Sequence, residues 1–444
     1  MDFSSHRNTS SDRLSEPDVW RRHILKTGIA SSLLPVLGGP AFASAPVQAP
    51  VQAPVPSALK PVLPYQVKWT AEQLDALRVA IRSFRLPRTV PGSNWTYGMD
   101  AEYLQQLMAY WADGFSMEGA ASTLNRYPQY TTRVEDIDIH FIRVIGEGGP
   151  HKARLPLLCT HGWPGSTFEF WDVIEPLAFP ARHGAKGDVA FDLIIPSLPG
   201  FGPSGKPVRP IGARTTARLW DKLMRENLGY AAYYAQGGDW GAGVTGWLAL
   251  DHPQAVRAIH LNLMIAGPQV PARTAEERQF HADAEEHERR WGAYYQLQAT
   301  EPQSLAFAMA GNPVAQAAWL IQRFYTWSDR RTRPFAQVFS MDQLLTNVMV
   351  YVMNDAFQTS TWFYAGSHEE HVKQMPKGVR VGVPTGFASY AGDARSPTPP
   401  RSIVEQGYNL RYWTDMPQGG HFAAMEVPQA FVKDIRAWAR ALKL

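Results

Sequence analysis

The sequence is poor in cysteine, in net charge and in metal-binding patterns. Its one cysteine, Cys159, excludes an internal disulfide, and the apolar setting LPLLCTHG predicts a small buried thiol. The 43 basic and 40 acidic residues leave a net charge of +3, which gives no reason to expect nucleic acid as a partner. The segment HEEH at 368–371 lacks the HExxH spacing of zinc enzymes. We therefore expect no metal and no organic cofactor.

The composition does supply a large hydrophobic core. Of the 444 residues, 45% are hydrophobic and 12% are aromatic, which argues against extensive disorder. The length exceeds that of one ordinary domain and accommodates a catalytic domain with additions.

The first residues predict an export signal that is not part of the fold. Arg21 and Arg22 precede a mildly apolar stretch, and Ala41-Phe42-Ala43 offers a cleavage site. This order is typical of bacterial twin-arginine signals, the alternative being a basic tail before a short helix. The apolar run is too short and too rich in glycine to span a bilayer permanently. We expect a periplasmic or secreted protein whose mature form has no permanent membrane span.

Two kinds of pattern follow the signal and a linker that is rich in proline and alanine. Up to about residue 150 the chain is helical first and strand-like later, with Leu74, Leu77 and Ile81 at helical spacing. From residue 155 onward, short apolar strands alternate with helices, which predicts an α/β fold with a mostly parallel sheet covered on both faces. Between about 266 and 376 helical patterns replace the strands, as in a helical cap domain inserted above the carboxyl ends of a sheet.

The stretch AYYAQGGDWGAGVTGWLAL has the form of a strand, a glycine-lined turn and a helix. A catalytic serine occupies such a turn in many hydrolases, but here the position holds Asp239; the alternative is an aspartate that only caps the helix. An ionised carboxylate can attack the sp³ carbon of an epoxide or a haloalkane without help from a base. The resulting ester has a carbonyl that water can attack. A serine would form an ether instead, which has no carbonyl, so the enzyme would stop after one turnover.

Other polar residues follow in the chain order of a catalytic triad. His421 lies in a glycine-flanked turn after the last predicted strand, and Asp393 lies in the loop after the strand before it. Upstream, the backbone N–H of Trp163 in HGWPGS and the N–H of Trp240 are candidates for an oxyanion hole.

Together these motifs resemble those of a known family. HGWPGS, GGDWG, YTWSD, DQLLTNVMVY, VPTGF and GGHFAA are similar to the epoxide hydrolases of the α/β-hydrolase fold, in the branch of the microsomal and juvenile-hormone enzymes. The resemblance runs from about residue 64 to the C-terminus, and LNRYPQYTT matches a motif of that family's N-terminal domain. It implies that Asp239 is the nucleophile, His421 the general base that activates water, and Asp393 the acid that orients the histidine.

The resemblance also implies two cap tyrosines that polarise and protonate the epoxide oxygen. They match Tyr294 and Tyr364, although a shift of one residue would exchange Tyr294 for Tyr295. The microsomal enzymes have glutamate at the orienting position, whereas this chain has Asp393, with Asp415 nearby in sequence. The implied partners are a small lipophilic epoxide and water, and the sequence leaves open whether the chain forms a homo-oligomer.

The predicted organisation has six segments. They are a twin-arginine-type signal peptide (1–43), a linker (44–63), an N-terminal domain of the epoxide hydrolase type (64–132), the first part of the α/β-hydrolase core (133–265), a helical cap (266–376) and the second part of the core (377–444). We expect five cap residues to line an apolar pocket: Trp327, Met353, Phe357, Trp362 and Phe363.

Two other functions remain open at this point. A haloalkane dehalogenase uses the same aspartate and histidine, but its halide leaving group needs no paired proton donors, so the two tyrosines favour an epoxide. A non-catalytic binding protein on a hydrolase scaffold would typically lack one of the polar positions, and here every position is filled.

Overall fold

The computed structural model describes residues 60–148, 154–395 and 397–443. The predicted signal peptide, and with it the prediction of localisation, lies outside these residues. Val62 and Leu63, which the sequence assigns to the linker, are part of the first strand. Within the described ranges no helix is both long and apolar enough to cross a membrane.

Nine strands are found in the described part of the chain, and they form one sheet. They are β1 (Val62–Tyr65), β2 (Gln129–Val134), β3 (Ile137–Val144), β4 (Arg154–Thr160), β5 (Ala190–Pro196), β6 (Tyr233–Gly237), β7 (Val256–Leu261), β8 (Val381–Tyr390) and β9 (Tyr408–Met416). Their order is β1-β2-β3-β5-β4-β6-β7-β8-β9. Six strands, in the sheet order β5-β4-β6-β7-β8-β9, are parallel to one another. Strands β1, β2 and β3 add an antiparallel edge, in which β3 pairs with β5.

The helices lie around this sheet and between its strands in sequence. They are α1 (Ala71–Ser83), α2 (Ala101–Ala109), α3 (Met117–Leu124), α4 (Trp171–Ala178), α5 (Ala213–Lys222), α6 (Asp239–Asp251), α7 (Ala275–Trp291), α8 (Ala293–Thr300), α9 (Pro302–Met309), α10 (Pro313–Trp327), α11 (Phe335–Val338), α12 (Met341–Val352), α13 (Phe357–Glu369), α14 (Arg401–Gly407), α15 (Ala423–Glu426) and α16 (Pro428–Ala441). Helices α7 to α13 lie between β7 and β8, where the helical cap is predicted.

Local sequence explains where several of these elements begin and which faces they bury. Helix α1 starts with a capping box between Thr70 and Gln73, which satisfies backbone N–H groups that the first turn leaves free. Strand β5, AFDLIIP, is buried along its whole length, as a strand covered by helices on both faces must be. The described residues therefore form the predicted α/β architecture, with one layer of sheet between helices.

The carboxyl ends of the parallel strands position the polar residues. Gly162 and Trp163 follow β4, and the turn after β6 carries Asp239. Asp393 follows β8, and His421 follows β9. Since parallel strands end at a common edge, residues far apart in sequence meet there, which is where ligands bind in open α/β sheets.

Candidate active site

Asp239 lies at a strained turn between β6 and α6. Its backbone φ is +46°, a left-handed conformation that is uncommon for a residue other than glycine and costs energy. Gly238, and not Asp239, is the N-cap of α6. A side chain at Gly241 would collide with the carbonyl of Thr160, and one at Gly162 would collide with Asp239. The glycines thus allow the chain to pack close around the carboxylate, so the interpretation of Asp239 as a simple helix cap is wrong.

The structure brings the three predicted triad residues into contact. The His421 Nε2 atom lies 3.3 Å from Oδ2 of Asp239, and its Nδ1 atom lies 3.0 Å from Oδ2 of Asp393. Asp415, the other aspartate considered, is exposed and accepts a hydrogen bond from Trp413. The imidazole therefore bridges Asp239 and Asp393, and Asp415 does not take part.

The charges of these groups fix their protonation near neutral pH. Burial raises the pKa of Asp239, but His421, the Arg395 guanidinium and the N–H of Trp240 outweigh it and hold the pKa below its usual value. Burial lowers the pKa of His421, but Asp393 and Asp239 raise it to about 10. Hence the resting site contains an ionised Asp239 beside a protonated imidazole.

Backbone donors are aimed at the same carboxylate. The N–H of Trp163 donates a hydrogen bond of 2.9 Å to Oδ1 of Asp239, and the N–H of Trp240 acts on the same group. Because Oδ1 is held in this way, Oδ2 is the oxygen left to react. An oxyanion that develops at Oδ1 would have a donor already in place.

Both predicted cap tyrosines are buried near the carboxylate. The ring of Tyr364 lies 4.9 Å from that of Trp240 and 6.1 Å from that of Tyr294. The hydroxyl of Tyr364 has no hydrogen-bond partner among the described residues. The Asp239 charge raises the pKa of Tyr294 and of Tyr364. The ring of Tyr294 stacks on that of Trp163 at 5.9 Å, and Tyr294 and Tyr295 both line the cavity described below, so Tyr294 stays the predicted first donor.

Arg395 is a member of the site that the sequence did not reveal. Its Nε atom lies 3.2 Å from Oδ2 of Asp239, and its side chain is only 15% exposed. Its backbone N–H donates to Oδ1 of Asp393 at 2.8 Å. Arg395 belongs to no recognisable sequence motif. The hydrogen bond between its backbone N–H and Asp393 forms the turn that directs the arginine side chain inward, and this turn is not visible in the sequence.

A cavity of about 320 Å³, called here the large cavity, lies beside this centre. Residues of the cap, the Asp239 turn and the Asp393 loop line it, among them Trp240, Phe280, His281, His287, Glu288, Trp291, Tyr294, Tyr295, Trp327, Lys373, Arg395 and Ile403. Its volume and its aromatic walls are within the range of small-molecule sites.

Of the five residues predicted to line an apolar pocket, Trp327 borders the large cavity. Met353, Phe357, Trp362 and Phe363 do not border this cavity. Phe357 and Phe363 are each 1% exposed and belong to the packing between α13 and the rest of the protein. Periodicity identifies apolar residues but does not tell whether an apolar side chain faces a cavity or a neighbouring helix.

A second cavity of about 20 Å³, called here the small cavity, lies at the catalytic pair itself. Its walls include Gly162, Trp163, Glu169, Gln236, Asp239, Asn262, His421 and Phe422. Glu169 is another residue that sequence reasoning missed, since it follows HGWPGS without any pattern of its own. Burial raises the pKa of Glu169 to about 8, so this carboxyl group is largely protonated at neutral pH.

Comparison with known proteins agrees with this arrangement. Residues 62–170 match the family model "Epoxide hydrolase N terminus", and residues 156–376 match the family model "alpha/beta hydrolase fold". The protein Epoxide hydrolase 1 of Sus scrofa is 31% identical over 407 residues, which cover 86% of this chain and 89% of that protein.

Solved structures show the same likeness. The juvenile hormone epoxide hydrolase of the silkworm Bombyx mori superposes with a TM-score of 0.77 at 26% identity, over 87% of this chain and 96% of that one. The Aspergillus niger epoxide hydrolase superposes with a TM-score of 0.73 at 28% identity, over 85% and 96%.

The sheet, the helices around it and the Asp239 turn define a protein of the α/β-hydrolase fold. Its similarity to the pig enzyme extends through both matched regions. The chain belongs to the epoxide hydrolase family and is an enzyme.

Proposed function

We propose that this enzyme opens a lipophilic epoxide to a vicinal diol through a covalent ester on Asp239. The observation that carries the proposal is the setting of the Asp239 carboxylate. Its Oδ1 accepts the N–H of Trp163, while its Oδ2 lies next to His421 and two buried tyrosines surround the same space.

In the first step, Oδ2 of Asp239 attacks an epoxide carbon and the carbon–oxygen bond of the ring breaks. The released oxygen takes a proton from Tyr294 or Tyr364, whose phenols supply the acid that an alkoxide leaving group needs. The carboxylate charge is consumed in the new ester. One of the two anions that raise the pKa of His421 is thereby removed, and the imidazole can give its proton to the tyrosinate, which restores the phenol.

In the second step, His421 removes a proton from water, and the water oxygen attacks the Cγ carbonyl of the ester. The tetrahedral oxyanion forms at Oδ1, where the Trp163 N–H already donates. The bond from Cγ to Oδ2 then breaks, His421 returns its proton to the diol oxygen, and the carboxylic proton of Asp239 passes to His421, which restores the resting pair of carboxylate and imidazolium. Asp393, hydrogen-bonded to Nδ1, orients the imidazole and stabilises its charge.

The lipophilic character of the substrate is supported by the large cavity. Its aromatic walls favour an apolar group next to the epoxide, and its volume of about 320 Å³ limits the part of the substrate that is fully enclosed.

A trapped intermediate tests the mechanism directly. In the His421→Gln variant the second step is blocked, so incubation with a panel of epoxides and haloalkanes should leave the ester on the protein. We expect an intact-mass gain equal to a whole epoxide, and no gain in the double variant that also carries Asp239→Asn. A gain equal to an alkyl group without its halogen would indicate a dehalogenase instead, and no adduct from any compound would contradict the proposal.

We also propose that the protein is exported and works in the periplasm or outside the cell. The support is the order of Arg21-Arg22, the apolar stretch and Ala41-Phe42-Ala43 in the sequence. The N-terminal mass of the exported protein measures cleavage, and the substitutions Arg21→Lys and Arg22→Lys together should abolish export. Export that persists in this double variant, or a mature chain that begins at Met1, would contradict the proposal.

A further inference from the structure

The small cavity has the dimensions of a site for one water molecule. Its volume of about 20 Å³ exceeds the roughly 10–15 Å³ that a single buried water requires. Both members of the reacting pair, Asp239 and His421, form part of its wall. Any water bound here is therefore within reach of the base and of the ester carbon.

The polar wall of the small cavity can still accept a hydrogen-bonding guest. Oε1 of Gln236 is buried and has no hydrogen bond among the described residues, and the pair of Oδ2 of Asp239 and Nε2 of His421 is held only by ionic contacts of 3.2–3.3 Å. Buried polar groups without partners cost free energy, and a water with two to four contacts satisfies them. The amide nitrogen of Gln236 is already used, since it donates to Asn262 at 3.1 Å.

Glu169 completes the polar wall of the small cavity. It lies in the short turn Thr167–Phe170, and its carboxyl group folds back over the HGWPGS segment so closely that a side chain at Gly165 would overlap it. The charges of Asp239 and His421 both act on this carboxyl group. Neither the triad nor the oxyanion hole uses Glu169, although it faces both.

We infer that the small cavity is the binding site of the hydrolytic water and that Glu169 holds this water, together with Gln236, against His421. The inference rests on the proposed two-step mechanism and adds a residue to its second step. One proton of the water goes to Nε2 of His421, and the water oxygen forms the new bond to Cγ of Asp239. The other hydrogen is shared between a carboxyl oxygen of Glu169 and Oε1 of Gln236, so the lone pair points at the ester.

Separate measurement of the two steps tests this role. The substitution Glu169→Gln keeps the shape of the side chain, and Glu169→Leu removes its polar atoms. With an epoxide that alkylates the His421→Gln variant, styrene oxide being the first probe, rapid-quench intact mass gives the rates of ester formation and ester loss. We expect ester formation to stay within about twofold, while ester loss slows about tenfold in Glu169→Gln and about a hundredfold in Glu169→Leu. The ester then becomes the main steady-state species.

The pH dependence provides a readout that a merely structural role would not change. Burial raises the pKa of Glu169 to about 8 in the resting enzyme, and consumption of the Asp239 charge in the ester removes one of the groups that raise it. Ester loss in the wild type should therefore show two ionisations, those of His421 and Glu169, and only that of His421 in Glu169→Gln. The matched control is Glu175→Gln, on the partly exposed side of the neighbouring helix α4, which should leave both rates unchanged.

Three outcomes would overturn the inference: unchanged ester loss in both Glu169 variants, equal slowing of both steps, or the same slowing in Glu175→Gln. Failure of the proposed mechanism would look different, because the His421→Gln variant would then form no ester at all.

Discussion

The two cavities of the active site differ in size and in the chemistry of their walls. The large cavity, about 320 Å³, is bordered by aromatic rings such as those of Trp240 and Tyr294 and, at other points, by charged groups such as those of Glu288 and Lys373. The small cavity, about 20 Å³, is bordered by carboxyl, amide and imidazole groups. We infer that the difference separates two tasks on one carboxylate. An apolar electrophile enters where burial of its surface is favourable, and a single water is held where every polar atom can be satisfied.

Removal of the nucleophile should have the largest effect, because both ester formation and ester hydrolysis need the Asp239 carboxylate. We expect Asp239→Asn to lower kcat on the order of 10⁵-fold, since no ester can form for the water to attack. Initial rates of diol formation measure the loss. Asp251→Asn, at the other end of the same helix α6, should keep at least half of the wild-type rate, and an equally large loss there would point to misfolding.

In the proposed mechanism the two tyrosines act only when the epoxide ring opens, so their loss should slow ester formation alone. We expect Tyr364→Phe and Tyr294→Phe each to reduce the rate of alkylation about 10²-fold, because the alkoxide then lacks one of its proton donors. Single-turnover mass measurements separate this step from ester loss. Tyr295→Phe is the matched control and should change the rate less than about threefold; a larger effect there would reverse the assignment of the first donor.

Arg395 lies between the two sides, since it borders the large cavity and pairs with Asp239. Its charge lowers the pKa of Asp239, and alkylation needs the ionised carboxylate. In Arg395→Gln the pKa of Asp239 should rise, so the acid limb of the kcat/KM profile moves to higher pH and activity on that limb falls about tenfold. Rates measured across the acid range check this, and the exposed Arg330→Gln should leave the limb in place. An unmoved acid limb in Arg395→Gln would remove Arg395 from the site.

The small-cavity side should also make stability depend on pH. The pKa of His421 is about 10 in the folded protein, against the ordinary histidine value of 6.5 that applies to the unfolded chain. A raised pKa means that the folded state binds the extra proton, so this stabilisation is full below about pH 6.5 and is lost as pH rises towards 10. Urea unfolding at pH 7, 8 and 9 should give a falling free energy of unfolding. The free energy of unfolding should decline less with pH in His421→Gln. Identical pH dependences in the variant and the wild type would contradict this prediction.

Much of the catalytic centre could be predicted because the triad and the Trp163 donor follow the ends of strands. Asp239, Trp163, Asp393 and His421 lie in short segments next to apolar runs, and parallel strands bring their carboxyl ends together. The helical insertion was visible for a similar reason, as the strand pattern stops at about residue 266. Each of these features can be identified from a short segment of sequence. The parallel strands of the fold then bring the segments together.

The amino-acid sequence by itself determined the fold class, the aspartate in place of serine and the chain order of the triad, because these depend on local pattern and side-chain chemistry. Tertiary structure alone decided between Asp393 and Asp415, and it alone shows that Trp327 borders the large cavity. It also revealed Arg395 and Glu169. Such choices depend on the distances between side chains of separate segments, and packing sets those distances after the elements have formed.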